Sequence, residues 1–548
     1  MINKLSLFLL ILLVISCKEE PKEKIVVDRF PKAVDFVVPL ETDFREFKVL
    51  DSKVLDVELM WRPLNDILDD FGGTAYEDLK PLILEKDILS LQEEIAQGKL
   101  NYEKLTLFYL YRIRELDRLN EKSLNSVITV NANAIDLAKT CDKNYQRTGQ
   151  HPIYGMPILL KDNIDTKDLP TTAGATALLK NETTENAFIV DQLLKHGAVI
   201  LGKANLSEWA YFFCGDCPSG YSAVGGQTLN PYGRRIFDTG GSSSGSGVSI
   251  AANFAVGAVG SETSGSILSP SSQNSLVGLK PTIGLLSRGG IVPISSTLDT
   301  PGPMTRTVRD NAILLDAMLG YDKSDPKAIE TGGNGTYFNN LDTMALKGIR
   351  LGAMRKLMED TLYVNAIETL KKQGAVIVEY DAPEIGLPNF RRLLNLDMKA
   401  DLPLYLQHYG NKDLGITSVE DVIVLNEKDT LTSAPYGQRL FRGIVADSGD
   451  AEYLLRIKDT LKMNGRKFLE GAMVENNLDG ILSINNYHAG FAAVAEYPAI
   501  TVPMGYDNDG KPKGLTFISR PLTEKTLLEW AFAYEQASKE RKMPEGYN

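Results

Sequence analysis

Histidine, cysteine and tryptophan are scarce in this chain, at four, four and three of 548 residues. The four histidines (His151, His196, His408 and His488) show no paired spacing, so a His-rich metal site lacks its ligands and a serine–histidine–aspartate triad lacks an obvious base. His151 and His196 read as ordinary loop and helix-end residues. No G-x-S-x-G turn stands between a strand and a helix. The glycines of 240–247 are not followed by Gly-Lys-Ser/Thr, which excludes a phosphate-binding P-loop. A lone S-x-x-K at 324–327 sits in a loop-like stretch without a K-T-G partner. Basic residues are outnumbered, 59 Lys and Arg against 71 Asp and Glu, for a formal charge of −12. No basic run with interleaved aromatics offsets this, so nucleic acid is not an expected partner. No internal repeat is visible.

Long apolar runs are missing too, except at the start. Residues 5–15 follow Lys4 and are about half the length that a bilayer-spanning helix needs. Val14-Ile15-Ser16-Cys17 resembles a bacterial lipoprotein cleavage site. Residues 1–17 are therefore expected to be a signal peptide, with Cys17 the diacylated first residue of the mature protein. A plain secretory signal or an N-terminal anchor is the alternative. Lys18-Glu19-Glu20 resembles the surface-export signals of Bacteroidetes-type lipoproteins. The expected location is extracytoplasmic, held to a bacterial membrane by the lipid alone, with the outer membrane or cell surface as candidate places. Among the other cysteines, Cys214 and Cys217 have C-x-x-C spacing. Free thiols and a disulfide both fit, whereas zinc would need two further ligands.

A hydrophobic content of 43% and 24% charged residues describe a well-cored globular protein. Residues 18–84 read as a charged tether, 18–30, and an extension of little clean periodicity, 31–84. From residue 85 to 541 one domain is expected. Ile88, Leu91 and Ile95 share a helical face, and Leu105, Phe108, Leu110, Ile113 and Leu116 share another across 102–119. A third helix is expected over 129–144. Short apolar runs of buried-strand type then alternate with helical segments. They lie at 156–161, 197–202, 348–353, 374–380, 479–484, 499–506 and 514–519, with a hairpin turn at 507–510. The pattern predicts an α/β fold, a large mixed twisted sheet covered by helices on both faces. Residues 384–475 carry no strand signal and read as a helical and loop insert.

The Gly/Ser-rich tract at 239–267 has the composition of a flexible spacer. Its polar clusters, however, bracket an apolar run at 248–259, which a spacer has no reason to carry. The pattern suggests two Gly/Ser turns around a buried helix, with backbone N–H groups gathered about a small polar or anionic object. A base for such a site is available in Lys161, at the end of the apolar run 156–161. Burial there disfavours the ammonium and lowers its pKa toward the neutral range. A structural ion pair with the adjacent Asp162 is the competing reading.

Taken in order, "GMPILLKDNIDT", "TTAGA", "AVILGKANLSEWA", "GGSSSGSG", "GSETSGSI" and "GLKPTIGLLSR" resemble the amidase signature family. "SGYSAVGGQTLNPY" and "VPISSTLDTPGPMTRTV" resemble its peptide amidase branch. The likeness is strong over 85–320 and moderate over 476–541. It implies the amidase signature fold and a Ser-Ser-Lys triad: Lys161 from the K-D-N motif, Ser242 after a cis peptide bond, and Ser266 as nucleophile. It further implies an oxyanion hole from the backbone of Thr263, Ser264, Gly265 and Ser266. Hydrolysis of a carboxamide through an acyl-enzyme follows, releasing ammonia from peptide or acyl amides. The implied partner is a small-molecule or peptide amide substrate; neither metal nor cofactor is implied. The acyl side is expected to lie toward the insert at 384–475. Glu262-Thr263-Ser264-Gly265-Ser266 departs from the family's usual Asp-x-Gly-Gly-Ser, so Ser264 must avoid a glycine-only conformation. Two other readings remain open, a non-peptide acyl or aryl amide hydrolase and a catalytically silent ligand-binding surface lipoprotein. The family's tRNA amidotransferase subunit would need a cytoplasmic partner complex, which the N-terminal segment argues against.

Overall fold

The computed structural model describes residues 47–548 apart from Leu119 and residues 331–336. The expected signal segment and Cys17 lie outside the described residues. Among the described residues no helix is long and apolar enough to cross a membrane.

The described residues begin with four helices: α1 (Val57–Trp61), α2 (Asn65–Ile83), α3 (Ile88–Ala96) and α4 (Tyr102–Leu116). Asp56, Asp87 and Asn101 cap α1, α3 and α4, each accepting a hydrogen bond from an N–H in the first turn. Helix α2 was not expected. Gly72, at φ 65° and ψ 168°, kinks it and breaks the apolar period that would mark it in the sequence. Its Leu68, Tyr76, Leu79 and Ile83 join the same apolar cluster as the central strands. Strand β1 (Val127–Val130) and helix α5 (Ala134–Lys143) replace the single helix expected over 129–144. The β-branched run Val-Ile-Thr-Val pairs antiparallel with a sheet strand instead of extending the helix.

Strand β2 (Pro157–Lys161), helix α6 (Phe188–Lys195) and strand β3 (Val199–Ala204) form a parallel unit whose strands are buried along their whole length. A short hairpin, β4 (Tyr221–Ser222) and β5 (Gly226–Gln227), precedes helix α7 (Ser244–Ala251). Then come β6 (Gly257–Glu262), α8 (Leu268–Gln273), β7 (Val277–Lys280), β8 (Thr300–Thr305) and α9 (Val308–Met318). The apolar run at 248–259 is therefore half helix and half strand. The chain turns at Asn253, φ 58°, and the Val256 N–H reaches the Pro157 carbonyl to begin strand pairing.

Strands β9 (Arg350–Met354) and β10 (Val376–Tyr380) flank α10 (Thr361–Lys372). The insert follows as α11 (Phe390–His408), α12 (Val419–Asn426), α13 (Thr430–Ser433), α14 (Arg439–Ala446) and α15 (Ala451–Glu475). Strand β11 (Gly480–Ile484), helix α16 (Ala489–Ala495), the hairpin β12 (Ala499–Tyr506) and β13 (Pro512–Ile518), and α17 (Glu524–Ser538) end the chain. Among the described residues eleven strands form one mixed sheet in the order β1-β3-β2-β6-β8-β7-β12-β13-β11-β9-β10. The insert is tied to the sheet's loops. Tyr405 on α11 donates to Asp165 Oδ1 at 2.7 Å, and the Leu440 N–H on α14 donates to the Phe213 carbonyl at 2.9 Å. Cys214 and Cys217, just beyond Phe213, form a disulfide.

Candidate active site

Three neighbouring segments converge at β2 and β6, the third and fourth strands from the β1 edge of the sheet. Strand pairing aligns β2 with β6, Leu160 opposite Val259, so Lys161 at the end of β2 comes beside Ser261. Lys161 Nζ lies 2.9 Å from Ser261 Oγ, 3.1 Å from the Ser261 carbonyl oxygen and 2.7 Å from Ser242 Oγ. Asn163 Nδ2 donates to Ser261 Oγ at 3.0 Å from the other side. The adjacent Asp162 does not pair with Lys161. Successive strand residues point to opposite faces, and Asp162 faces Lys203 at 3.6 Å and the Thr172 hydroxyl. The competing ion-pair reading of Lys161 is thereby removed.

Lys161 has 0% of its surface exposed. Burial draws its pKa down from the ordinary lysine range to about 7, while the charges of Asp299 and Glu262 act in the opposite direction. Desolvation wins, because charge burial costs more than two carboxylates outside contact distance return.

Ser242 follows a cis Gly241–Ser242 peptide bond and is also fully buried. Its neighbours pin it. The Ser207 N–H donates to the Ser242 carbonyl at 3.0 Å and the Ser243 N–H to the Ser266 carbonyl at 3.2 Å. Ser243 Oγ donates to the Ser261 carbonyl at 3.1 Å. Helix α7 can lie this deep because Gly245 has no side chain; a Cβ there would sit 2.4 Å from the carbonyl oxygens of Asn205 and Ser126.

Residues 263–266 turn the chain from β6 into α8. The Glu262 carboxylate accepts from the N–H groups of Ile267 at 2.7 Å and Leu268 at 3.0 Å, closing the turn on itself. Thr263 donates its hydroxyl to Asp299, whose other oxygen takes the N–H groups of Ile294 and Ser295, each at 2.8 Å. Gly265 has φ 91°, whereas Ser264 stays outside the left-handed region. Ser266 is half-buried, and among the described residues its hydroxyl makes no hydrogen bond. The N–H groups of Ser264, Gly265 and Ser266 likewise find no protein acceptor among the described residues.

A family model described as Amidase matches residues 105–483, more than half of the chain. The chain belongs to the amidase signature family. A probable amidase of Arabidopsis thaliana is 38% identical over 483 residues, which cover 84% of this amidase and 92% of the plant protein. Among solved structures, an amidase family protein from Bacillus anthracis str. Ames superposes with a TM-score of 0.86 at 36% identity, covering 90% of this chain and 100% of its own. The peptide amidase from Stenotrophomonas maltophilia superposes with a TM-score of 0.80 at 37% identity, covering 84% and 99%. The fold expected from the motifs is the fold observed, and the protein is an enzyme that hydrolyses amide carbon–nitrogen bonds.

Lys161 and Ser242 are in contact, and the Ser243 N–H ties the 263–266 turn to the segment that carries Ser242; among the described residues no hydrogen bond joins the Ser242 and Ser266 hydroxyls. Sequence reasoning passed over Ser261, Asn163 and Asp299, although each lies inside a stretch that resembles the family. The signal was a polar residue in an otherwise apolar strand or turn. No histidine takes part in the hydrogen bonds of this site. His151 sits 3.4 Å from Asp316, and His488 Nδ1 sits 2.6 Å from Ser483 Oγ. Among the described residues no group of three or more His, Cys, Asp or Glu is arranged to hold a metal ion.

Proposed function

We propose that this amidase uses Ser266 as nucleophile, Ser242 as proton relay and neutral Lys161 as base. It would release ammonia from C-terminally amidated peptides or similar acyl amides. The observation that carries the reading is the 2.7 Å contact between Lys161 Nζ and Ser242 Oγ, both on fully buried side chains. A neutral amine has two N–H groups and one lone pair. The Ser261 carbonyl can only accept and takes one N–H group, while Ser261 Oγ, which accepts from Asn163, keeps a second lone pair that can take the other. The lone pair is then left for the Ser242 hydroxyl.

Ser242 passes its proton to Lys161 as it takes one from Ser266, and Ser266 Oγ bonds to the substrate's carbonyl carbon. The N–H groups of Thr263, Ser264, Gly265 and Ser266 form the oxyanion hole, where each donor contributes about 3 kcal/mol of transition-state stabilisation. The tetrahedral species collapses as the relay returns the proton to the leaving nitrogen. Ammonia departs and the acyl group stays on Ser266. Water, deprotonated by the same relay, then frees the carboxylic acid. The acyl chain would lie toward the insert, where a cavity of about 360 Å³ opens between α15, α16 and the 296–298 loop; the triad residues do not line it.

The likeness to a peptide amidase at 37% identity supports the peptide reading. Incubation with an amidated dipeptide, a fatty primary amide and an acyl anilide tests it. Ammonia release from the dipeptide without internal cleavage is expected; turnover of only the other two would overturn the peptide assignment.

The location is a separate part of the reading. It rests on Val14-Ile15-Ser16-Cys17, and the Cys214–Cys217 disulfide agrees with an oxidising compartment. Cys17→Ser should accumulate unprocessed precursor and lose the lipid anchor; processed, membrane-bound C17S protein would overturn it.

A further inference from the structure

The loop after β11, residues 485–488, folds over the turn that carries Ser266. It is held firmly. The Asn485 N–H donates to the Gly514 carbonyl at 2.8 Å, and Asn485 Oδ1 accepts the Gly514 N–H at 2.8 Å. Thr516 Oγ1 donates to the Asn485 carbonyl at 2.5 Å, and Ser483 and His488 close the far side at 2.6 Å. Within this braced loop Asn486 differs from its neighbours. Its side chain is half-buried, yet among the described residues its carboxamide makes no hydrogen bond. That carboxamide lies against Gly265, the residue before Ser266. A Cβ built on Gly265 would stand 2.8 Å from Asn486 Nδ2 and 3.3 Å from Asn486 Cβ.

A carboxamide has donors at one end and an acceptor at the other, the complement of a peptide unit. Placed beside the nucleophile and without a partner among the described residues, it can pair with a group on the substrate only a bond or two from the reacting carbonyl. Peptide amides have such a group, the acylamino N–H and C=O on the α-carbon. Fatty amides and anilides have none there. We propose that Asn486 is a specificity-determining residue that recognises the acylamino group next to the scissile carboxamide, so that α-acylamino amides are the preferred substrate class. This rests on the active site proposed above. A rigid polar group gains discrimination in two ways. It adds a hydrogen bond to the right substrate and is left unpaired by the wrong one.

The test uses two primary amides alike except for that group, N-acetylphenylalaninamide and 3-phenylpropanamide. The quantity read is the ratio of their kcat/KM values within one enzyme, which cancels any general loss of active protein. In the unaltered amidase the ratio should favour the acylamino substrate by about tenfold or more, the equivalent of about 1.4 kcal/mol. Asn486→Leu keeps the approximate volume and removes both hydrogen-bonding ends, and should bring the ratio toward one. Asn486→Asp keeps only acceptors and should lower it as well. An unchanged ratio in N486L, with both substrates slowed alike, overturns the inference and leaves the peptide-amide reading standing. Failure of the unaltered enzyme to cleave N-acetylphenylalaninamide while it cleaves 3-phenylpropanamide overturns both.

Discussion

Lys161 Nζ lies 2.7 Å from Ser242 Oγ, with both side chains sealed from solvent. The amine is drawn down to a pKa of about 7, chiefly by burial. As a base it works only when neutral. The rate should therefore fall as pH drops through about 7, where Lys161 takes up a proton, and level off above it. Lys161→Ala should lower kcat/KM by ~10²–10⁴, the usual worth of a positioned general base, and abolish that acid limb. A pH–rate profile of both proteins checks this. An acid limb that persists in K161A with near-normal activity would point to another base.

Asp299 gives a finer test of the same electrostatics. Its carboxylate is the larger of the two charges that hold the Lys161 pKa up against burial. In Asp299→Asn that charge is gone and the local bonds can survive. The amide oxygen can take the N–H groups of Ile294 and Ser295, while the amide NH₂ meets a reoriented Thr263 hydroxyl. Loss of the negative charge favours neutral Lys161, so the acid limb should move to lower pH. A shift to higher pH in D299N would contradict the sign of this interaction.

Gly265 is held at φ 91° with Asn486 packed against its α-carbon. Gly265→Ala meets both problems at once: an unfavourable left-handed backbone and a Cβ 2.8 Å from Asn486 Nδ2. The left-handed backbone strains the turn, and the Asn486 carboxamide is pushed aside. Stability should fall by ~1–3 kcal/mol and activity by about 10²-fold, the cost of a reacting group misplaced by about 1 Å. Thermal melting and steady-state kinetics read the two effects separately. G265A protein with ordinary kcat would show that the turn's geometry is not what the reaction needs.

The parts of this site that sequence makes legible are those written in local pattern. The apolar run ending at Lys161 says "buried strand", and β2 is that strand. The side of the strand on which Lys161 and Asp162 each fall is equally local, since it follows from the pleat, but their partners are not. Lys203 and Thr172 reach Asp162, and Ser261 reaches Lys161, across pairings that only the folded sheet defines. The run at 248–259 shows the opposite failure. Its composition suits a buried helix and a buried strand alike, and the turn at Asn253 divides it into both. Helix α2 went unread because Gly72 and Gly73 interrupt its period. Asp299 was passed over because its meaning lies in Thr263 and the Ile294–Ser295 backbone, distant or unmarked in sequence.

The two serines should separate in a labelling experiment. Ser266 is half-buried and its hydroxyl has no hydrogen-bond partner among the described residues, whereas Ser242 is fully buried against Lys161. A serine-reactive fluorophosphonate should therefore bond to Ser266 alone. Ser266→Ala should abolish both labelling and turnover while the fold persists, because no group remains to form the acyl-enzyme. Ser242→Ala keeps the nucleophile but breaks the path by which its proton reaches Lys161. Turnover should drop by ~10² or more, and labelling should still occur at Ser266, only slowly. Because the triad acts as a unit, the S242A/K161A double variant should be little slower than the worse single variant. The checks are mass spectrometry of the labelled peptide and kcat/KM for the unaltered enzyme and for S266A, S242A, K161A and S242A/K161A. Label on Ser242 in the unaltered enzyme would reverse the two roles, and additive losses in the double variant would mean that Ser242 and Lys161 do not share one proton path.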